Sequence, residues 1–385
     1  MNDYPAYKLG DVAEIILGQS PESKSYNTKG DGLPFFQGKT EFTDWFPIPN
    51  KWCTEPKKIA EPFDILLSVR APVGPTNIAK EKCCIGRGLA AIRYADCYKY
   101  VLYYLRSVSK YLESKATGTT FSSISGDTIK NLPIPLPPLA TQHAIVTRIE
   151  TLFAELDKAV QHLRTAQQQL KTYRQAVLNH WLTNGSENWE HTTIGNIVEK
   201  VEYGSSAKSE KEGKVPVLRM GNIQKGRFDW SDLVYSNDDE EISKYLLKKD
   251  DVLFNRTNSP ELVGKTAIYK GERPAIFAGY LIRLHYKKDL INADFLNYFL
   301  NSDIARNYGN TVKSDGVNQS NINGQKLKTY PIALPPLTEQ QRIVKEIESR
   351  LSQATATETY IENALQQAEA LRQSILKKAF SGELV

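Results

Sequence analysis

The sequence predicts two mixed α/β domains, each followed by a long helix, with the two helices packed against each other as a coiled coil. Three observations lead to this prediction. The chain has 385 residues, which exceeds the usual size of a single hydrophobic core. Residues 131–150 and 329–348 resemble each other at an offset of 198. From each of these segments onward, apolar residues recur at alternating spacings of three and four, the period of a coiled coil.

The composition favours a folded, soluble protein. Hydrophobic residues make up 41% of the chain and charged residues 24%, close to the globular average. The first twenty residues lack the pattern of a signal peptide, and no segment offers 18 consecutive apolar residues, so we expect a cytoplasmic location. The net charge of +5 permits nucleic-acid binding without requiring it.

The repeated segments divide the chain into two similar halves. They read NLPIPLPPLATQHAIVTRIE and TYPIALPPLTEQQRIVKEIE, and both contain Pro-Pro-Leu-x-x-Gln, ending at Gln142 and Gln340. The sequences upstream diverge freely, which indicates one scaffold adapted to two surfaces, related by a pseudo-twofold internal repeat. Two copies are too few for a solenoid. We predict globular domains at 1–133 and 189–331, with helical regions at 134–188 and 332–385.

Both globular segments show mixed α/β patterns. Short apolar runs bounded by glycine, proline and asparagine predict strands, and amphipathic stretches rich in tyrosine and leucine predict helices. The strand runs lie at 64–69, 88–92, 215–220, 251–254 and 280–284, and the helical stretches at 98–113 and 292–308.

The long helices begin after paired prolines, which restrict the preceding residue and are tolerated in a first helical turn. Leu-Pro-Pro-Leu is thus read as a stiff helix start, with a partner-docking role as the alternative. Asn184-Gly185-Ser186 ends the first helix. Each apolar stripe needs a partner, and the nearest is the other helix. The stripes, predicted to form the helix seam and to dock partner subunits, contain Ile149, Leu152, Leu156, Leu163, Leu170, Val177, Ile347, Leu351, Ile361, Leu365 and Ile375.

These features together resemble the specificity subunits of type I restriction-modification systems. The most specific are the two Pro-Pro-Leu-x-x-Gln segments and the terminal Ser374-Ile-Leu-Lys-Lys-Ala-Phe-Ser-Gly-Glu-Leu384. The resemblance implies two α/β (α+β) target recognition domains, each reading one half of a bipartite DNA site. It also implies that the two long helices pack antiparallel, set the distance between the half-sites and dock two modification subunits.

The resemblance assigns no catalytic chemistry to this chain. Modification subunits would bind S-adenosylmethionine and methylate adenine, and restriction subunits would use ATP and Mg²⁺ for translocation and cleavage.

The length of the helices fits a spacer between half-sites. A helix of 40 residues spans ~60 Å, which is ample to separate half-sites by a DNA turn of ~34 Å.

The residues themselves also indicate that the chain binds no metal or cofactor. Cys53, Cys83, Cys84 and Cys97 form no C-x-x-C pair and have no nearby histidine cluster. Residues 32–40 depart from the phosphate-loop pattern, because five residues rather than four separate its glycines. There is no N/D-P-P-Y/F motif of a methyltransferase, and the histidines are scattered.

Loops rich in amide, hydroxyl and guanidinium groups are the candidates for DNA contact, because such groups reach base edges and phosphates. Each of these residue types also builds turns and caps helices. In the first domain they are Gln19, Ser20, Gln37, Lys39, Ser68, Arg70, Arg87, Thr119, Thr120 and Ser122. In the second they are Ser205, Ser206, Lys208, Arg219, Asn222, Asn255, Arg256, Thr257, Asn258, Asn318, Gln319, Ser320 and Asn321.

The sequence leaves open the role of two arginines and two alternative functions. Arg70 and Arg256 follow similar strands, and either they share a DNA-facing position or each pairs with a carboxylate. A coiled-coil adaptor whose globular parts bind proteins is the second functional hypothesis, and a self-contained methylase is the third.

Overall fold

The computed structural model describes residues 4–118 and 122–385. The chain forms two compact units, Met1–Arg164 with Glu362–Val385, and Thr165–Ile361. Each unit therefore combines one α/β domain with parts of both long helices. None of the helices in the described ranges is long and apolar enough to cross a membrane.

The first domain is built on two sheets. Its strands are β1 (Ala6–Lys8), β2 (Glu14–Leu17), β3 (Tyr26–Asn27), β4 (Leu33–Phe36), β5 (Trp52–Cys53), β6 (Ile59–Ala60), β7 (Ile65–Ser68), β8 (Thr76–Ile78), β9 (Cys83–Ile85), β10 (Leu89–Arg93) and β11 (Pro133–Pro135). Its helices are α1 (Leu9–Val12), α2 (Tyr98–Ser107), α3 (Ser109–Ser114) and α4 (Gly126–Lys130), followed by the long α5 (Leu139–Thr183). One sheet has the order β2-β10-β7-β8, the other β3-β5-β4-β9-β6, and β1 pairs with β11.

The second domain repeats this plan. Its strands are β12 (Glu190–Thr193), β13 (Val198–Tyr203), β14 (Val215–Leu218), β15 (Ile223–Gln224), β16 (Arg227–Phe228), β17 (Val234–Ser236), β18 (Val252–Asn255), β19 (Thr257–Asn258), β20 (Thr266–Ile268), β21 (Ile276–Phe277), β22 (Leu281–Tyr286), β23 (Ser314–Asp315), β24 (Ser320–Asn321) and β25 (Pro331–Leu334). Its helices are α6 (Ile194–Ile197), α7 (Asp239–Tyr245), α8 (Ala293–Leu300), α9 (Asp303–Val312) and α10 (Gly324–Lys328), followed by the long α11 (Leu337–Phe380).

The internal repeat predicted from the sequence is confirmed by the strand order. The sheet β13-β22-β18-β20 corresponds to β2-β10-β7-β8, and β12 pairs with β25 as β1 pairs with β11. A parallel pair of strands also recurs, since β4 runs parallel to β9 and β14 parallel to β21. The second domain also contains a three-stranded sheet of order β19-β24-β23 and a small hairpin formed by β15 and β16.

The two long helices run antiparallel in the second unit. Arg174 of α5 forms an ion pair with Glu358 of α11. About two helical turns further along α5, Trp181 lies under the guanidinium groups of Arg342 and Arg350 of α11. Residue numbers rise along one helix as they fall along the other, which is the antiparallel arrangement expected from the resemblance.

All eleven predicted seam residues are at least partly buried. The outer ends of the stripes, however, also pack into the domains. Ile149 and Ile375 lie in the first domain's core with Tyr100 and Leu105. Val177 and Ile347 belong to the core of the second domain. The seam is therefore continuous with each unit's hydrophobic core, and the domains are held on the helices by apolar burial.

In each Pro-Pro-Leu-x-x-Gln segment, the glutamine side chain binds back to the backbone just before the helix. Gln142 is buried, and its Nε2 donates to the carbonyl of Pro137 at 2.9 Å. Gln340 is fully buried, and its Nε2 donates to the carbonyl of Pro335 at 2.8 Å. Its Oε1 also accepts the N–H of Asn292 at 2.7 Å, which ties the start of α11 to the start of α8.

Candidate nucleic-acid interface

In the first domain, loops that are far apart in sequence meet at one end of the sheets. Gln19 N donates to Ile85 O at 3.0 Å, and Gly88 N donates to Gln37 O at 3.1 Å. Ala71 N donates to Ser122 O, and Val69 N donates to Gly88 O, both at 2.9 Å. We call the resulting surface the first polar edge; it comprises residues 18–20, 37–39, 68–71, 86–88, 117–118 and 122–123.

The first polar edge carries positive charge without internal neutralisation. Lys39, Arg70 and Arg87 are exposed, and among residues 4–118 and 122–385 no carboxylate lies within ion-pair distance of them. Gln19 and Gln37 are exposed beside them. Unpaired cations next to exposed amides are what a DNA-facing surface requires, since cations meet phosphates and amides meet base edges.

Other candidate DNA-contact residues of the first domain are less exposed to solvent. Ser20 and Ser122 are half-buried. Ser68 is buried, and its Oγ donates to the carbonyls of Arg70 and Pro72 at 3.1 and 3.0 Å. It shapes the turn that presents Arg70. Thr119 and Thr120 lie outside the described residues.

The second domain forms an equivalent surface. Ser205 N donates to Phe277 O at 2.8 Å, and Arg256 N donates to Tyr280 O at 3.0 Å. Thr257 pairs with Asn321 where β19 meets β24. We call this surface the second polar edge; it comprises residues 203–208, 219, 255–258, 278–280 and 316–321.

Backbone hydrogen bonds fix which positions of the two edges correspond. Val69 N binds Gly88 O as Arg256 N binds Tyr280 O, and Ile124 N and Ile322 N donate to the carbonyls of Val69 and Arg256, respectively. Val69 is therefore the counterpart of Arg256. The bridge Arg70–Ser123 likewise matches Thr257–Asn321.

The proposal that Arg70 and Arg256 share a position is therefore wrong by one residue. Successive residues of an extended chain point to opposite sides, so a one-residue offset changes the direction of the side chain. The alternative, a carboxylate partner, does not apply to them either within the described part of the chain. Two arginines that do pair with carboxylates lie in strands of the sheets, where Arg93 binds Asp64 and Arg283 binds Glu202.

Several candidates at the second polar edge are open to solvent. Ser206, Lys208, Asn318 and Gln319 are exposed. Arg256 and Asn258 are half-buried. Asn318 and Gln319 lie in the turn of the β23–β24 hairpin, and a two-stranded ribbon of this kind fits the major groove of B-DNA.

Other candidates are used within the edge itself. Asn222 is buried and donates to the carbonyls of Asp229 and Asp232, while its Oδ1 accepts the N–H of Arg219. Arg219 also pairs with Asp232 at 3.1 Å. Thr257 Oγ1 accepts a hydrogen bond from Asn321 at 2.7 Å. A base could reach these groups only by displacing their present partners.

Three buried side chains complete this group. Ser205 Oγ accepts the N–H of Ala207 at 3.1 Å, and Ser320 Oγ donates to Asp315. Asn255 is fully buried, and within the described part of the chain neither polar atom of its side-chain amide has a hydrogen-bond partner. These residues support the loops rather than form their outer surface.

Sequence reasoning missed the apolar and aromatic members of the second polar edge. Tyr280 is 50% exposed, and Tyr203 is 41% exposed beneath Arg256. Val317 is 99% exposed at the tip of the β23–β24 hairpin. These residues are apolar or aromatic, but an exposed tyrosine or valine beside glycine in a turn is also a signal of a contact surface.

Comparison with known proteins assigns the chain to a family. The profile described as "Type I restriction modification DNA specificity domain" matches residues 1–163 and 186–367. The EcoKI type I specificity subunit of Escherichia coli is 30% identical over 392 residues, covering 92% of this chain and 83% of that protein. The MjaX specificity subunit of Methanocaldococcus jannaschii is 39% identical over 187 residues, covering 47% of this chain and only 43% of that protein.

Solved structures show the same fold. A chain from a structure of a type I restriction-modification system has a TM-score of 0.78 at 18% identity, covering 100% of this chain and 99% of that one. The HsdS subunit of Thermoanaerobacter tengcongensis has a TM-score of 0.60 at 18% identity, covering 100% and 98%. With the family profile spanning both domains, this chain belongs to the specificity subunits of type I restriction-modification systems, the DNA-recognition components of those systems.

Proposed function

We propose that each polar edge reads one half of a bipartite DNA sequence, and that the long helices set the number of unread base pairs between the halves. One observation carries the proposal: two topologically matching domains present polar edges at the same end of their sheets, yet with different side chains at equivalent positions. A shared scaffold gives both domains the same approach to DNA. Different side chains give them different target sequences.

The exposed chemistry fits this division of labour. At the first polar edge, Lys39, Arg70 and Arg87 supply phosphate contacts or guanine contacts, and Gln19 and Gln37 supply donors and acceptors for base edges. At the second, these roles are taken by exposed and half-buried residues: Ser206, Lys208, Arg256, Asn258, Asn318 and Gln319. The buried residues hold the loops in shape.

The proposal leaves the covalent chemistry to partner subunits. Two modification subunits would dock on the helices and use S-adenosylmethionine to methylate adenine. Restriction subunits would add ATP- and Mg²⁺-dependent translocation and cleavage. The single chain would then supply DNA recognition to the complex, acting in the cytoplasm where its DNA substrate lies.

Binding of random duplex DNA at two salt concentrations tests the proposal. We expect the full chain to bind and to bind more weakly as salt rises, because released counterions drive phosphate contacts. Arg70→Ala should weaken binding and reduce the salt dependence by about one ion. Fluorescence anisotropy gives both values.

Lys80→Ala is the matched control. Lys80 is another exposed cation without an ion pair in the described residues, but it follows β8 at the end of the sheet away from Arg70. Its loss should leave DNA binding unchanged. An adaptor that binds only proteins would show no DNA binding and no difference between these variants. Equal effects of both substitutions would argue against a role for the first polar edge.

A further inference from the structure

The guanidinium group of Arg256 is held in a fixed orientation at the second polar edge. Its Nε donates to the carbonyl of Gly279 at 2.9 Å, and its Cζ lies 4.9 Å from the centroid of the Tyr203 ring. The backbone on which it stands is also fixed, because its N–H donates to Tyr280 O and its carbonyl accepts from Ile322 N. The side chain is therefore anchored along both its edge and its face.

The groups that hold Arg256 are themselves anchored. Tyr203 Oη accepts the N–H of Gly324 at 2.9 Å, and Gly279 N donates to Ser205 O at 2.7 Å. A Cβ at position 324 would lie 2.7 Å from Val201 Cγ2 and 3.1 Å from Tyr203 Oη. Glycine at position 324 therefore lets the backbone come close to Val201 and to the Tyr203 hydroxyl. The ring below the guanidinium is held in place by this close contact and by the hydrogen bond from Gly324.

The outer nitrogens of Arg256 are left open. Its Nη1 and Nη2 have no hydrogen-bond partner in residues 4–118 and 122–385, and no carboxylate lies within ion-pair distance. By contrast, Arg219 and Arg283 of the same domain are neutralised by Asp232 and Glu202. A guanidinium of fixed plane with two free terminal nitrogens matches two acceptor atoms side by side.

We infer that Arg256 is a preformed two-donor fork that holds a pair of neighbouring acceptor atoms on the DNA. The inference rests on the proposed function of the second polar edge. Guanine O6 with N7, and two oxygens of one phosphate, offer this same chemistry. At the equivalent position the first domain has Val69, which is apolar and buried and cannot donate from its side chain. Tyr203 acts as the positioning residue.

Selection of bound duplexes from a randomised library distinguishes the two sources of acceptors. The experiment uses the full chain co-expressed with its modification subunit, as the wild type, Arg256→Ala and Arg256→Lys. If the fork holds guanine, both variants lose the preference for one guanine in a single half of the selected motif, by roughly ten- to a hundredfold. Lysine fails because it keeps the charge but lacks the planar pair of donors.

If the fork holds a phosphate, the selected motif stays the same in both variants. Arg256→Ala then lowers affinity for every sequence, and the slope of log affinity against log salt falls by about one. Arg256→Lys keeps the slope and loses less affinity. Either pattern supports the inference. Wild-type motif, affinity and salt slope in Arg256→Ala would overturn it.

Two further variants guard against trivial effects. Tyr203→Leu keeps the arginine but removes its support, and should reduce the same contact by a smaller factor. Arg273→Lys is the control, because Arg273 lies 5.0 Å over the Trp230 ring near the other end of β20 and should be neutral. The proposed function is judged separately, on the wild type alone: absence of any selected motif would refute it, whatever the variants do.

Discussion

At the residue scale, the sequence named the right kinds of side chain but not their surroundings. Arg283 is almost fully buried, and its guanidinium binds Glu202 and Asp251. The side chain of Arg256, by contrast, binds a carbonyl and a ring and has no carboxylate partner among the described residues. Arg256 follows Phe254-Asn255 and Arg283 follows Leu281-Ile282, and both stand in β-rich segments. Whether a carboxylate lies opposite depends on β13, some 50 to 80 residues earlier in the chain.

The cluster of Glu202, Arg283 and His285 gives a pH-dependent contribution to stability. Burial alone raises the pKa of the Glu202 carboxyl, but hydrogen bonds from His285 and Arg283 outweigh it and hold that pKa below its usual value. A depressed folded-state pKa means that the ionised glutamate stabilises the fold at neutral pH. This contribution is lost as the pH falls through the folded-state pKa.

We expect Glu202→Gln to lower the free energy of unfolding by about 1–2 kcal/mol at pH 7, a value moderated by solvent on the outer side of the carboxylate. The difference from wild type should begin to shrink below about pH 4.3, where the carboxyl of the unfolded chain becomes protonated, and should keep shrinking until the pH has passed the lower folded-state pKa. Urea denaturation at pH 7 and pH 3.5 measures both values. Glu199→Gln, an exposed substitution on the same strand, should have little effect at either pH. A pH-independent difference would contradict the proposed role of the charge.

At the element scale, periodic patterns of apolar residues predicted strands and helices correctly. The five predicted strand runs correspond to β7, β10, β14, β18 and β22. The helix predicted at 98–113 divides at Val108 into α2 and α3, and the one at 292–308 divides where Ser302 caps α9 and accepts the N–H of Ala305. Capping by an internal serine is a local signal that the apolar period alone conceals.

The long helices give a prediction about spacing. Inserting four residues, one turn of ~5.4 Å, into residues 160–175 of α5 should lengthen the unread gap by one or two base pairs. Motifs selected from random duplexes by wild type and variant give the gap directly. The same insertion at 184–188, after the helix ends, should leave the gap unchanged. An unaltered gap in the first variant would count heavily against a spacer role.

At the scale of the whole molecule, recognition should be modular. Each unit has its own hydrophobic core and its own polar edge. Among the described residues, the core of the second domain contains no side chain of the first polar edge. The identity of the sequence read by one domain should therefore not affect the sequence read by the other.

Exchange of residues 189–331 for the corresponding domain of another specificity subunit tests this independence. We expect the selected motif to change in one half only and the gap to stay the same, because the helices are retained. Exchange of residues 1–133 should change the other half. A motif altered in both halves by either exchange would contradict modular reading.

The amino-acid sequence alone was enough to predict the two-copy plan, the two long helices, five of the strands and the family. These features show in the periodic spacing of apolar residues and in a repeated segment, so residues close together in the chain are enough to reveal them. Only the tertiary structure decided which polar residues of each edge face outward. It buried Ser68, Asn222 and Asn255, offset Arg70 from Arg256 by one residue, and placed Tyr203 under a guanidinium. Burial and hydrogen-bond partners come from segments distant in the chain, and no local pattern encodes them.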